Sequence, residues 1–231
     1  MQTRIAATAN GSFWFIEQNV AKIGLITDLA SAGVELLAGH GHESEYPVAF
    51  SQRPLTLPSF ILAPDLPDDN RALFTTIGGA PGGTLARIDT NGVLTVFPFT
   101  TAHTFPDFIA LSGTTAYVTR SDGAIQPVDV NAGAFGTVIP EPVAGFQPAG
   151  MKFGPDGTLW ISDFVHTFLR SYIPKSGQWG GTSTPNGLQP ADIVFSGNKM
   201  YFVGFPPGSF DAKLEVAAFV LPRHRGVVHP H

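Results

Sequence analysis

Four of the seven histidines fall in polar segments beside acids or aromatic residues, and chemistry would most naturally sit there. His40, His42 and Glu43 form "HGHE" (40–43). Residues i and i+2 of an extended segment share a side, and two imidazoles with a carboxylate suit a divalent metal. His103 in "TAHTF" and His166 in "DFVHTF" are acid–base candidates, because imidazole changes charge near neutral pH. Asp107 directly follows Pro106 and is a candidate general base or metal ligand, since scarce solvation would favour its neutral form. Glu17 and Asp163 each close an aromatic run, "FWFIE" (13–17) and "LWISD" (159–163). Each residue also has a plainer reading. Acids at strand ends and turns bond nearby backbone N–H groups, and polar loops are commonly just solvated. The remaining histidines, His224, His229 and His231, lie in a terminal segment of the kind that frays.

The totals narrow what these residues could serve. The chain has 231 residues, 43% of them hydrophobic and 13% charged, enough for one domain with a substantial core. A net charge of −5 argues against nucleic-acid or anionic-membrane partners, which select basic patches. With no cysteine, disulfides, thiolate metal sites and thiol catalysis are excluded. No apolar run approaches the roughly 18 residues of a membrane helix, and the N-terminus has no signal-peptide pattern. The expectation is a soluble, monomeric, cytoplasmic protein; a mature secreted chain has the same composition.

What positions the candidates is a repeat. The runs "FWFIE" (13–17), "ALFTT" (72–76), "AYVTR" (116–120), "LWISD" (159–163) and "MYFVG" (200–204) align on Trp14, Leu73, Tyr117, Trp160 and Tyr201, at spacings of 59, 44, 43 and 41. A period near 40–45 with several short strands per unit predicts a β-propeller. A first strand follows a proline at Pro58, Pro106, Pro148 and Pro190, whereas the first unit opens on "TRIAAT" (3–8). Third strands are predicted over 22–27, 84–89, 124–129, 168–173 and 214–219. Fourth strands are predicted over 34–38, 94–99 and 136–140, poorly near 177–181, and at 226–230. The fold class is therefore all-β: a propeller of five four-stranded blades, over 3–38, 58–99, 106–140, 148–181 and 190–230, with an insertion at 39–57. Six blades is the alternative, if 39–57 holds strands. Pro127 within a third strand cannot donate to the ladder, which predicts a bulge or frayed pairing there.

In such a meander the segment leading into the first strand and the loop leaving the second lie at one end. This places Glu17, His40, His42, Glu43, Ser59, His103, Asp107, Arg120, Asp163, His166 and Asp192 on a common face. Phe105, Phe146, Phe164, Phe168, Phe205 and Phe210 lie in loops there, beside small residues at 149, 150 and 191. An aromatic rim with few polar groups suits an apolar organic ligand. Ser59, Arg120 and all these phenylalanines but Phe210 are the expected ligand contacts. The same rings could equally fill gaps between blades.

The segment "FWFIEQNVAKIGLIT" (13–27) resembles the repeat of the virginiamycin B lyase (streptogramin B lyase) family, matching at Trp14, Phe15, Glu17, Lys22, Ile23, Gly24, Ile26 and Thr27. "FGPDGTLWISD" (153–163) is similar to its front half, with Asp163 in the Glu place. The resemblance implies a propeller that opens a cyclic depsipeptide by elimination, with Mg²⁺ as cofactor. It also implies working acids at the ends of second strands, at Glu17 and Asp163. The family's Pro-His-x-Ile opening is absent; those His places hold Thr3, Ser59, Asp107, Ala149 and Ala191. The leading expectation is a lyase-type enzyme. It would perform elimination, ring opening or cyclisation on an apolar cyclic natural product, with Asp107 and either His103 or His166 moving the proton. A non-catalytic ligand-binding or interaction propeller is the second expectation, and a metal-dependent lactonase-type hydrolase the third.

Overall fold

The repeated turn–strand pattern folds into consecutive antiparallel meanders. The computed structural model describes residues 3–7, 13–17, 22–27, 42–47, 49–50, 53–54, 58–62, 71–77, 81–89, 91–208 and 215–220. The first sheet comprises β1 (Thr3–Ala7), β2 (Phe13–Glu17), β3 (Lys22–Thr27) and β4 (His42–Pro47), followed by a two-stranded ribbon of β5 (Ala49–Phe50) and β6 (Arg53–Pro54). The second is β7 (Pro58–Leu62), β8 (Ala72–Thr76), β9 (Thr84–Ile88) and β10 (Leu94–Pro98); the third is β11 (Pro106–Ser112), β12 (Thr115–Arg120), β13 (Ile125–Asp129) and β14 (Ala134–Phe135). The fourth is β15 (Pro148–Phe153), β16 (Leu159–Asp163), β17 (Phe168–Ile173) and β18 (Gln178–Ser183). The fifth has three described strands, β19 (Gln189–Ser196), β20 (Lys199–Phe205) and β21 (Glu215–Val220). The chain divides into two compact units, Met1–Ile139 and Pro140–His231.

Burial of the aromatic runs explains the sheets. In the first unit, Trp14, Ile23 and Leu25 pack with Ala72, Phe74, Ala86 and Ile88, joining the first sheet to the second. Leu73, Leu85, Phe97 and Phe99 pack with Ile109, Ala116, Val118 and Val128, joining the second to the third. In the second unit, Leu169 packs with Leu188, Ile193, Met200 and Phe202. Sheets covered on both faces need apolar residues without strict alternation, as β8 shows, with all five residues buried. Glycines close the turns between first and second strands: Gly157 and Gly197 hold φ of 77° and 58°. Asp89 and Asp129 close other turns by accepting backbone N–H bonds from Asn91 and Val93, and from Asn131 and Ala132.

Several strand expectations are corrected. The outer strand of the first sheet is His42–Pro47, inside the stretch expected to be an insertion. Its sequence, HESEYP, is polar, as edge strands often are, so a search for apolar runs passes over it. Residues 34–38 and 226–230 lie outside the described residues. The fourth sheet, expected to be poor at its edge, has a full outer strand, Gln178–Ser183. In the third sheet the pairing of β12 with β13 runs through Tyr117 and Pro127 without a shift. Fraying occurs on the other side: β14 pairs through only two residues, with a separate bridge from Ile139 to Ile125. The Gln126 amide fills that gap, donating to the carbonyls of Pro127 (3.0 Å) and Gly136 (2.7 Å).

The feature that most shapes the strand ends is a repeated bulge. Pairing slips by one residue after Pro58, Pro106, Pro148 and Pro190, and only β1, which lacks the proline, pairs in continuous register. Bulges of this kind re-aim side chains at sheet margins. Ser59, Ala149 and Ala191 are the extra residues of three sheets, and Asp107 with Phe108 faces the single Thr119 in the fourth case. Hydroxyls of the second strand take up the displaced backbone groups. The Phe108 amide donates to Thr119 Oγ1 (2.9 Å), and Ser162 Oγ donates to the Gly150 carbonyl (3.1 Å).

Candidate functional site

The repeat delivers one column of residues to the ends of the second strands: Glu17, Thr76, Arg120, Asp163 and Gly204, opposite Thr3, Pro58, Pro106, Pro148 and Pro190. Within each sheet the first strand's opening and the loop after the second strand therefore share an end, as the meander requires.

In the first unit this end gathers Asp107, His103, Phe105 and Arg120. Asp107 is half-buried at its bulge, and its carbonyl accepts from Thr75 Oγ1 of the neighbouring sheet (2.9 Å). His103 is exposed with φ of 60°, its amide donates to Pro81 (3.1 Å), and its ring meets that of Phe105 edge-on at 6.3 Å. Gly83, at φ 75°, lets the Gly-rich loop approach Pro106: a Cβ there would lie 2.6 Å from the proline ring. Arg120 is buried and bound through both Nε and Nη2 to Asp122. Asp122 also accepts from the Ala124 amide (3.2 Å), so the pair closes the turn it belongs to.

In the second unit the same end is built around Asp163. Its side chain has no solvent exposure, and a buried carboxylate must be paired. His166 Nδ1 lies 2.9 Å from both carboxylate oxygens, and the His166 amide donates to Oδ1 at 3.3 Å. Arg170 Nε donates to Oδ2 at 3.0 Å. Asp163 thus anchors its loop, as the plainer reading expects, and holds a histidine ring as well. The His166 side chain is 32% exposed, and its other ring nitrogen, Nε2, is the one not turned to the carboxylate. The turn beyond is held tightly: Thr167, β-branched, sits at φ 50°. Such a conformation costs on the order of 1–3 kcal/mol and persists where surrounding bonds over-determine it. The Thr167 carbonyl accepts from the Thr184 amide (3.0 Å) and lies 2.9 Å from Thr184 Oγ1, and Thr167 Oγ1 donates to the His166 carbonyl (2.7 Å).

Of the aromatic residues expected to contact ligand, one meets this cluster and two pair with each other. Phe168 lies under the Arg170 guanidinium, 4.4 Å from Cζ to the ring centre, and Phe164 meets Phe205 edge-on at 6.4 Å. All three are half-buried. Phe146 is different: it is 3% exposed and packs on Trp179, so it belongs to the core. Asp192 is exposed and binds the Ile193 amide within its own bulge (2.8 Å).

The metal candidates lie elsewhere. His42 pairs with Thr27 and Glu43 with Ile26, at the far end of the first sheet from Thr3 and Glu17 and on its outermost strand. The expected common face therefore does not include them, because the chain enters β4 from the other end. Their side chains, with those of Glu17 and Ser59, and the whole of His40, Phe210 and the terminal histidines, lie outside the described residues. Among the described residues no three His, Cys, Asp or Glu side chains come together. Asp163 already accepts from an imidazole and a guanidinium, while Mg²⁺ demands several free oxygen ligands. The described donors do not fit Mg²⁺.

Sequence reasoning missed Arg170. By register it occupies a column reading Gly24, Ala86, Gln126, Arg170 and Ala217, so a lone cation among uncharged residues was its available signal.

No family model matches the chain, and no curated protein matches it in sequence. Solved structures do match. A catalytically inactive histidine-to-alanine variant of virginiamycin B lyase from Staphylococcus aureus with quinupristin is 20% identical over 92% of this chain and 68% of its own, at a TM-score of 0.68. The selenomethionine-substituted enzyme gives the same identity and coverage at 0.70, and a streptogramin B lyase structure is 18% identical over 94% and 68%, at 0.66. A protein of unknown function from Bacteroides caccae matches at 14% identity over 94% of this chain and 76% of its own, at 0.65. What these likenesses establish is the fold, an all-β propeller resembling that of the streptogramin B lyases.

Proposed function

We propose that this chain is a small-molecule-acting propeller whose chemistry is proton transfer on an apolar cyclic natural product, leading to elimination, ring opening or cyclisation. One observation carries the reading: the His166 ring is held through Nδ1 by the fully buried carboxylate of Asp163. A carboxylate on one nitrogen fixes the ring's orientation and favours the tautomer whose Nε2 can accept a proton. It also stabilises the imidazolium that forms. Phe164, Phe168 and Phe205 supply apolar, orientable surface for a ligand with few polar groups. The site is organised around a different histidine position from the Pro-His-x-Ile place of the lyase repeat, so the substrate is expected to differ in detail.

The test is turnover of a panel of apolar cyclic depsipeptides and lactones, quinupristin included, followed by mass change. The wild type is expected to open or rearrange at least one member. His166→Gln is expected to lower the rate by about 10²–10⁴-fold, the usual contribution of a positioned acid–base group. Unchanged rates in that variant, or a wild type inert to the whole panel, would leave a binding propeller as the better account.

A further inference from the structure

Three Asn-Gly pairs occur in the sequence, at 10–11, 91–92 and 186–187, and the first lies outside the described residues. Such pairs are open to attack by the backbone on the asparagine side chain, because a following residue without Cβ leaves its nitrogen accessible. The fold treats the two described pairs differently. Around Asn91 the turn is braced by Asp89. The Asp89 carboxylate accepts the Asn91 and Val93 amides at 2.9 and 2.8 Å, its carbonyl accepts the Gly92 amide at 3.0 Å, and its own amide donates to the Val93 carbonyl at 3.2 Å. The nitrogen that would have to attack is therefore bound. Asn186 is exposed, and its φ of 53° and ψ of 18° interrupt the short 3-10 turn Pro185–Gly187. Asparagine takes up this left-handed conformation more readily than most residues. A bond from the Leu188 amide to the Pro185 carbonyl closes this turn at 3.1 Å, and among the described residues the Gly187 nitrogen and the Asn186 side chain meet no hydrogen-bond partner.

We propose that Asn186 is a site of spontaneous covalent modification, deamidating to aspartyl and isoaspartyl forms while Asn91 is spared. In the first step the Gly187 nitrogen attacks Asn186 Cγ, and a C–N bond closes a succinimide ring. The bond from Cγ to the side-chain nitrogen breaks, and that nitrogen leaves as ammonia, taking up the proton that the Gly187 nitrogen gives up. Water then opens the ring at either carbonyl, its hydroxyl going to the carbonyl carbon and its hydrogen to the ring nitrogen. One opening leaves an aspartyl residue. The other leaves an isoaspartyl residue, whose main chain runs through Cβ and is longer by that carbon. The place gives the change an effect. Asn186 lies between Thr184 and Leu188, and Thr184 Oγ1 lies 2.6 Å from the Leu188 carbonyl it donates to. The Thr184 amide donates to the Thr167 carbonyl at 3.0 Å, on the turn that carries His166. Leu188 is buried with Leu169 and Ile193. A longer main chain inside this closed loop strains both ties, so the isoaspartyl form loosens the bond from Thr184 to Thr167. This holds whatever reaction His166 performs.

The test ages the whole protein in mildly alkaline buffer, digests samples with trypsin at successive times, and follows the amide-to-acid mass gain on the peptides 88–120 and 176–199, with the residue assigned by fragmentation. Protein unfolded in urea supplies the intrinsic rate of each pair. Folding is expected to slow Asn91 at least about tenfold more than Asn186, because more hydrogen bonds must open around Gly92 before it can attack. Exchange of the Thr184 amide is expected to quicken in aged wild type and to stay unchanged in aged Asn186→Gly, a variant that suits φ 53° and carries no side-chain amide. Equal slowing of the two sites, or greater slowing of Asn186, overturns the proposal. The two parts fail separately: a mass gain at Asn186 with Thr184 exchange unaltered keeps the modification site and rejects its effect on the His166 turn.

Discussion

Asp163 has no exposure, and its charge is tolerable only because an imidazole and a guanidinium meet it. Replacing it by Asn leaves Arg170 without its partner in a mostly buried place. Breaking a buried pair from one side costs about 3–5 kcal/mol. His166 and Arg170 still reach solvent, so the lower end is expected: Asp163→Asn should lose about 3 kcal/mol in urea unfolding, and adding Arg170→Gln should recover part of it. A second acid gives a pH effect. Asp129 accepts backbone bonds from Ala132 and Asn131 and a further bond from Thr114, which hold its carboxyl below the usual value of 3.8. A lowered carboxyl stabilises the fold above its unfolded value, and that contribution fades as pH falls through the lower folded value. Asp129→Asn should therefore flatten the loss of stability below about pH 4 and leave its slope near neutrality unchanged, as read by chemical unfolding at a series of pH values.

At the scale of elements, the proline-led bulge is the repeated device, and its hydroxyl partners are the test. Thr119 Oγ1 accepts the buried Phe108 amide. Thr119→Val keeps the shape and removes that acceptor, so a loss of about 1–3 kcal/mol is expected, larger than for the same change at an exposed threonine such as Thr114. A loss no larger than at Thr114 would mean the bulge finds another partner. These elements were unevenly legible. The aromatic runs announced the second strands, because burial on both faces demands apolar residues, and the register indeed puts Trp14, Leu73, Tyr117, Trp160 and Tyr201 in one column. Outer strands were harder to read. His42–Pro47 is polar and Gln178–Ser183 carries two glycines, so neither shows the apolar signature of a covered strand. The prolines marked first strands correctly, but nothing in the sequence says that pairing slips after them. Asp163 and His166 were legible as candidates from their place in the repeat; their partnership was not, since it depends on the backbone turn at Thr167. The Arg120–Asp122 pair was not legible, because an exposed strand-end cation and one clamped by a neighbouring acid read alike.

At the scale of the whole chain, five consecutive meanders and a propeller likeness at 18–20% identity to streptogramin B lyases describe a scaffold, on which the chemistry depends on local residues. Among the described residues no helix is long and apolar enough to cross a membrane. The most direct measurement is the rate of product formation from the depsipeptide and lactone panel in wild type and His166→Gln, with folding of both verified by circular dichroism. The account predicts product from the wild type and a loss of about 10²-fold or more in a variant that folds normally. A folded His166→Gln protein working at the wild-type rate would contradict it.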